Sequence, residues 1–165
     1  MDTQKINKIL FMTQAAMIAA IYVVLTTIFA PISFGEVQVR IAESLTILPF
    51  FTPAAIPGVF IGCLIGNILG GAILPDIIFG SLATLLGAIF TYLLRSKKFL
   101  APFPPIICNT LIIPFVLRFG YGIALPIPLL MASVGLGEVL SCGVLGFILL
   151  FSLLRYRHRI FRLGN

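Results

Sequence analysis

The stretch RIAESLTILPFFTPAAIPG, Arg40 to Gly58, decides how this chain is arranged. It leads into a charge-free run of 32 residues, Ser44 to Pro75, which as one helix would be about 48 Å long, against a bilayer core of about 30 Å. Pro49, Pro53 and Pro57 interrupt the run, and a proline inside a helix removes a hydrogen bond and costs about 3 kcal/mol. The chain is therefore expected to turn near Pro53. Before that turn, residues 40–51 make a helix of only about 18 Å, too short to span alone. The preceding segment, Ala30 to Val39, must then dip into the protein, and non-helical backbone at that depth is tolerated only when buried in protein or lining a wet cavity.

Outward from this stretch the same pattern continues. Charge-free runs extend over 9–35, 77–94, 99–117, 119–137 and 139–154, most of them near the length of a spanning helix. With 60% apolar and 10% charged residues, the composition excludes a soluble domain, which carries about 25% charged residues. The expected fold is an all-α integral membrane protein, one transmembrane domain over 1–165, with six helices near 9–29, 40–51, 55–73, 77–95, 103–118 and 127–155. Nine of the eleven basic residues lie in three clusters: Lys5 and Lys8; Arg95, Lys97 and Lys98; and Arg155, Arg157, Arg159 and Arg162. The positive-inside rule places all three clusters, and both termini, in the cytoplasm. The net charge of +6 thus reports orientation, and no solvated basic face remains for nucleic acid. The apolar run behind Lys5 and Lys8 exceeds the 7–15 residues of a signal-peptide core, so it reads as a spanning helix.

Gly58, Gly62, Gly66 and Gly70 recur every four residues, a small-residue stripe that lets helix backbones approach closely in lipid. The first helix carries two analogous pairs, Ala15 with Ala19 and Ala16 with Ala20, and either could dock a separate membrane subunit. Cys63, Cys108 and Cys142 lack CxxC spacing and read as small packing residues, with no metal or disulfide framework.

Apart from Asp2, the acids Glu36, Glu43, Asp76 and Glu138 sit in or beside apolar runs on the outer half. Ionisable groups at that depth cost about 2.5–3.5 kcal/mol each and mark function by default. Gln38, Arg40, Asn67, Asn109 and Arg118 join them. As extended chain, Glu36, Gln38 and Arg40 face one side; as helix, Glu36, Arg40 and Glu43 share a face. These charges either contact a ligand or form an ion-pair cluster that seals the short helix. Glu138 has no basic neighbour in sequence and reads as a ligand contact. Asn67 and Asn109 serve equally as ligand contacts or as interhelical bonds, while Asp76, just after Pro75, reads first as a helix N-cap. Together with Phe34, Phe50, Phe51, Phe79 and Tyr121, these groups suit a flat, donor-rich heterocycle, since a carboxylate accepts two parallel N–H bonds from a guanine-like edge. A biogenic amine or an ion would also fit.

No GxxxxGK[ST] or HExxH motif is present, and the single histidine, His158, lies in the basic tail, so neither ATP hydrolysis nor a Ser or Cys hydrolase dyad is expected. Uphill transport would draw on another subunit or an ion gradient. A stand-alone secondary transporter of a small polar or cationic heterocycle is the alternative, and an assembly subunit without ligand is a third reading.

The segments 36–43 and 48–58, with Gly62-Cys63-Leu64-Ile65-Gly66-Asn67 and Asp76-Ile77-Ile78-Phe79-Gly80-Ser81-Leu82-Ala83-Thr84-Leu85, closely resemble the QueT family. Its members are S components, the substrate-binding membrane subunits of energy-coupling factor (ECF) transporters for queuosine precursors. The resemblance implies a six-helix S component of the bacterial cell membrane that captures a 7-deazaguanine such as preQ1 or queuine from outside. It implies a transmembrane coupling subunit and two ATPase subunits as partners, with ATP and Mg held there and no cofactor in this chain. It also implies that Ala16 with Ala20, or Ala15 with Ala19, meets the coupling subunit, and that the loop over 32–39 closes on substrate. The expected substrate contacts are Glu36, Gln38, Arg40, Glu43, Asn67, Asp76, Asn109 and Glu138.

Overall fold

The proline-rich stretch makes a 3-10 helix, Ile41–Phe50, in place of the expected α-helix. The computed structural model to which it belongs describes residues 3–33 and 39–156. Two local causes favour the tighter winding. Pro49 has no N–H to continue an α ladder, and the hydroxyls of Ser44 and Thr46 bond the carbonyls three residues back, Ile41 at 2.7 Å and Glu43 at 2.6 Å. A third consequence is reach: at about 2.0 Å per residue, ten residues cover about 20 Å, against about 15 Å for an α-helix. Nine of the ten side chains are buried. This short element is thus the axis on which the longer helices pack, touching the first, third, fourth and last of them.

Those helices are α1 (Thr3–Ile28), the one-turn α2 (Ala30–Ser33), α3 (Ala55–Leu69), α4 (Leu74–Leu93), α5 (Phe103–Phe115), α6 (Ile127–Glu138) and α7 (Gly146–Leu154). A π-helical turn, Val116–Gly120, extends α5, and a second, Val139–Leu145, joins α6 to α7 in one continuous rod. Four stretches are long and apolar enough to cross a bilayer: Gln4–Ile28, Leu74–Leu93, Lys98–Gly120 and Ile127–Leu154. The 3-10 helix and α3 are shorter apolar helices. Helix α3 stops at Leu69, four residues before the expected end, because Gly71 adopts φ +76° and closes a Schellman turn. In that turn the Ala72 N–H donates to the Asn67 carbonyl at 2.9 Å and the Gly71 N–H to that of Ile68 at 3.2 Å.

The glycine stripe makes the internal contact expected of it. A Cβ on Gly58 would lie 2.9 Å from the Ala15 carbonyl oxygen, and one on Gly62 would lie 2.6 Å from Tyr22 Cβ, so α1 and α3 touch backbone to backbone. Gly70 stands apart from this contact as the cap of α3. On the other side of the bundle Gly87 lets α4 close onto Pro105 of α5.

The two ends of the bundle differ. At one, Ile47, Phe50, Ala101 and Leu150 form a core, Phe99 packs on Phe147 and Phe151, and Thr52 donates a hydrogen bond to Gln14. Lys98 lies over Phe151 there, which brings the second basic cluster beside the end of α7. The opposite end holds Arg40, Asp76, Arg118 and Tyr121.

Candidate functional site

Two polar clusters lie along the 3-10 helix. The first is at its start, away from the basic end. Arg40 Nη2 donates to both Asp76 carboxylate oxygens, at 3.2 and 3.0 Å, and Nη1 to Asn67 Oδ1 at 3.5 Å. The Asn67 amide donates in turn to the Asp76 carbonyl at 3.4 Å, and the Tyr121 hydroxyl to Asp76 Oδ2 at 3.1 Å. Burial and the Asp76 carboxylate raise the Tyr121 pKa, which keeps its hydroxyl a donor. Space for the guanidinium comes from Gly80, where a Cβ would stand 3.0 Å from Asp76 Oδ1. Asp76 is therefore an ion-pair partner and makes no N-cap bond; the N-cap position of α4 is Ile73. Of the two readings of Arg40 and Glu43, the ion pair between them is not formed: the guanidinium turns to Asn67 of α3 and Asp76 of α4, and the Glu43 carboxylate accepts from Tyr22 and Thr84.

The second cluster lies one turn further along, inside the bundle. Glu43 Oε1 accepts hydrogen bonds from the Tyr22 hydroxyl at 2.5 Å and from Thr84 Oγ1 at 2.8 Å. Glu43 Oε2 is buried and has no hydrogen-bond partner. Glu138 accepts from Asn109 Nδ2 at 3.0 Å and from Cys142 Sγ at 3.2 Å. The π turn that begins after Glu138 keeps Cys142 beside it, and Cys142 also reaches the Glu43 carbonyl at 3.4 Å. Ligand atoms of Glu43, Glu138 and Cys142 fall within 4.8 Å of one another, and all three residues are buried. These atoms could hold a small cation or a donor-rich ligand. Every donor given to the two acids is neutral, and the ion pair among the described residues lies in the other cluster.

Of the eight expected contact residues, Arg40, Asn67 and Asp76 meet in the first cluster, and Glu43, Asn109 and Glu138 in the second. Glu36 and Gln38, with Phe34, lie outside the described residues. The aromatic lining is a correction. Phe50 and Phe51 pack edge to face in the core at the basic end, because the 3-10 helix carries them there. Phe79 is half exposed in an apolar groove of about 480 Å³ between α4 and α5, which also takes Pro75, Leu111 and Phe115. Arg118 donates to the carbonyls of Ile123 and Leu125, so it shapes the loop before α6. The two alanine pairs separate. Ala15 and Ala19 turn their backbone to Gly58 and Gly62, which removes them from an outward docking face, while Ala16 and Ala20 stay exposed. Sequence reading missed Tyr22, Thr84 and Cys142 as partners of the acids. Of these, Cys142 was discoverable from its i+4 spacing to Glu138.

The model of the QueT transporter family matches residues 12–155. The chain belongs to the QueT transporter family. Both polar clusters fall within the matched range. A curated relative, the queuosine precursor transporter QueT of Lactococcus lactis subsp. cremoris, is 42% identical over 72 residues. That match spans 42% of this chain and 42% of the relative, less than half the length of either. No solved structure matches the chain.

Proposed function

We propose that this QueT-family chain is the substrate-capture subunit of an ATP-driven ECF-type importer and binds a queuosine precursor, a 7-deazaguanine such as preQ1 or queuine. The observation that carries the reading is the second cluster: two buried carboxylates from distant parts of the chain, Glu138 held by Asn109 and Glu43 with its Oε2 lacking a donor. A guanine-like ring offers adjacent N–H donors, and a buried carboxylate that accepts two of them gains charge-assisted bonds while losing no partner. Family membership and the relative's naming as a queuosine precursor transporter support the ring, and the missing phosphate loop supports ATPase subunits elsewhere.

In this reading six helical segments lie in the bilayer, with the 3-10 helix and α3 as the short pair and the basic end in the cytoplasm. Arg40 and Asp76 then stand on the outer side and close the route to the acids. The exposed Ala16 and Ala20 face supplies the contact with a coupling subunit. Titration calorimetry of the purified protein with preQ1, queuine and guanine tests the assignment. Binding tighter than about 10 μM, roughly 7 kcal/mol, is expected for at least one precursor. Failure of all three removes the substrate assignment.

The unbalanced acid pair also favours a second reading, a secondary transporter in which Glu43 and Glu138 exchange a cation or proton for the heterocycle. Uptake into liposomes that contain this chain alone, driven by a pH gradient, would establish that reading and displace the ECF assignment.

A further inference from the structure

Members of the 7-deazaguanine class differ in the charge of their substituent, and the second cluster bears on which of them are accepted. We infer that the site selects its heterocycle by charge: the bound form carries a protonated amine, held between Glu43 and Glu138. The inference rests on the proposed binding of a 7-deazaguanine and adds which members of that class are accepted.

Three observations lead to it. First, Glu43 and Glu138 are fully buried acids whose ligand atoms fall within 4.8 Å of each other. Second, the donors they meet are two hydroxyls, an amide and a thiol, none of them a cation. Third, Glu43 Oε2 is buried without a donor, although Glu43 Oε1 accepts two. Among the described residues no cation is in hydrogen-bond or ion-pair contact with either acid, and Arg40 acts on them only from a distance. From α1 comes Tyr22, from α5 Asn109 and from the π turn Cys142, all neutral donors, while Cys63 of α3 is a neutral group that accepts from Thr84. Arg40, at the start of the 3-10 helix, engages Asp76 of α4 through both carboxylate oxygens. Arg118 is occupied with loop carbonyls.

Two acids served only by neutral donors therefore face each other in a low-dielectric interior, where both ionise only when a cation lies between them. An ammonium group offers three donors and a positive charge in a volume that suits a gap between two carboxylates. A neutral substituent brings no such compensation, and a carboxylate substituent adds a negative charge at a cost the interior magnifies. A divalent metal is the competing occupant. It requires a deprotonated sulfur from Cys142, whereas that thiol here donates its proton to Glu138.

A series with one ring and three charges tests the inference on the unmodified protein. The purified full chain is titrated with 7-aminomethyl-7-deazaguanine, a cation, 7-cyano-7-deazaguanine, which is neutral, and 7-carboxy-7-deazaguanine, an anion. A zinc chloride titration without heterocycle runs alongside. The expected result is a preference of at least tenfold for the cation over the neutral analogue, about 1.4 kcal/mol, a weaker affinity still for the anion, and no zinc binding. Glu43→Gln and Glu138→Gln should each shrink the preference for the cation over the neutral analogue. Equal affinity for the cation and the neutral analogue overturns the charge selection and leaves the heterocycle assignment standing. No binding by any of the three overturns both, and tight zinc binding with no cation preference assigns the acids to a metal.

Discussion

The two polar clusters along the 3-10 helix use the same kinds of residue to opposite effect. Around Arg40 the charges are matched: one guanidinium, one carboxylate bonded through both oxygens, an amide and a phenol. Around Glu43 they are unmatched, with two acids served by neutral donors and one oxygen served by none. A buried, balanced pair is costly to break and has no use for a ligand, whereas an unbalanced pair is incomplete until something arrives. In the proposed reading the difference separates a closure from a binding site, within residues 40–43 of one chain segment.

The sharpest break comes from the balanced cluster. Asp76→Asn leaves the Arg40 guanidinium buried without its counter-charge, and a loss of about 3–5 kcal/mol in unfolding free energy is expected from denaturation of the detergent-solubilised protein. Glu138→Gln should behave in the reverse sense. It removes one of two facing acids, so the thermal midpoint should hold or rise, while affinity for the heterocycle drops more than tenfold in calorimetry. A Glu138→Gln protein as unstable as Asp76→Asn would show that the second cluster is structural too.

Next in size is the scaffold that positions Tyr22. Gly62→Ala introduces a methyl 2.6 Å from Tyr22 Cβ, so α1 must shift and carry the hydroxyl away from Glu43. A destabilisation of about 1–3 kcal/mol together with weaker ligand binding is expected, and a change in stability alone would detach Tyr22 from the site. The smallest effect on the chain itself belongs to Ala16→Leu with Ala20→Leu. These exposed changes should leave stability within about 0.5 kcal/mol and ligand affinity unaltered, yet stop co-purification with a coupling subunit. Undiminished assembly would take the docking face off α1.

Much of this comparison was legible in the sequence, and the part that was not has physical causes. The apolar runs, the proline break near Pro53 and the Gly58–Gly62–Gly66 contact follow from local rules of length, ring geometry and spacing, and the structure bears them out. The polar residues that matter were visible as rare ionisable or amide groups in apolar surroundings. Their pairing was not, because Glu43 and Glu138 meet only when the last helix packs on the 3-10 helix, and chain separation carries no signal of that. Asp76 looked like a cap because its position after Pro75 is a local fact, whereas Arg40 approaches from another element. The aromatic lining failed for the same reason: wound as a 3-10 helix, the segment delivers Phe50 to the basic end. The two alanine pairs differ by one residue in register, and only the position of α3 distinguishes them.

The claim that the unbalanced acids hold the ligand is most directly tested by ligand-induced stabilisation. Thermal unfolding would be recorded with and without 7-aminomethyl-7-deazaguanine for the unmodified protein and for Glu138→Gln. At a ligand concentration about 100 times the dissociation constant, the unmodified protein should gain about 2.7 kcal/mol, and Glu138→Gln at the same concentration should gain less than half of that. An equal gain in both proteins would contradict the account.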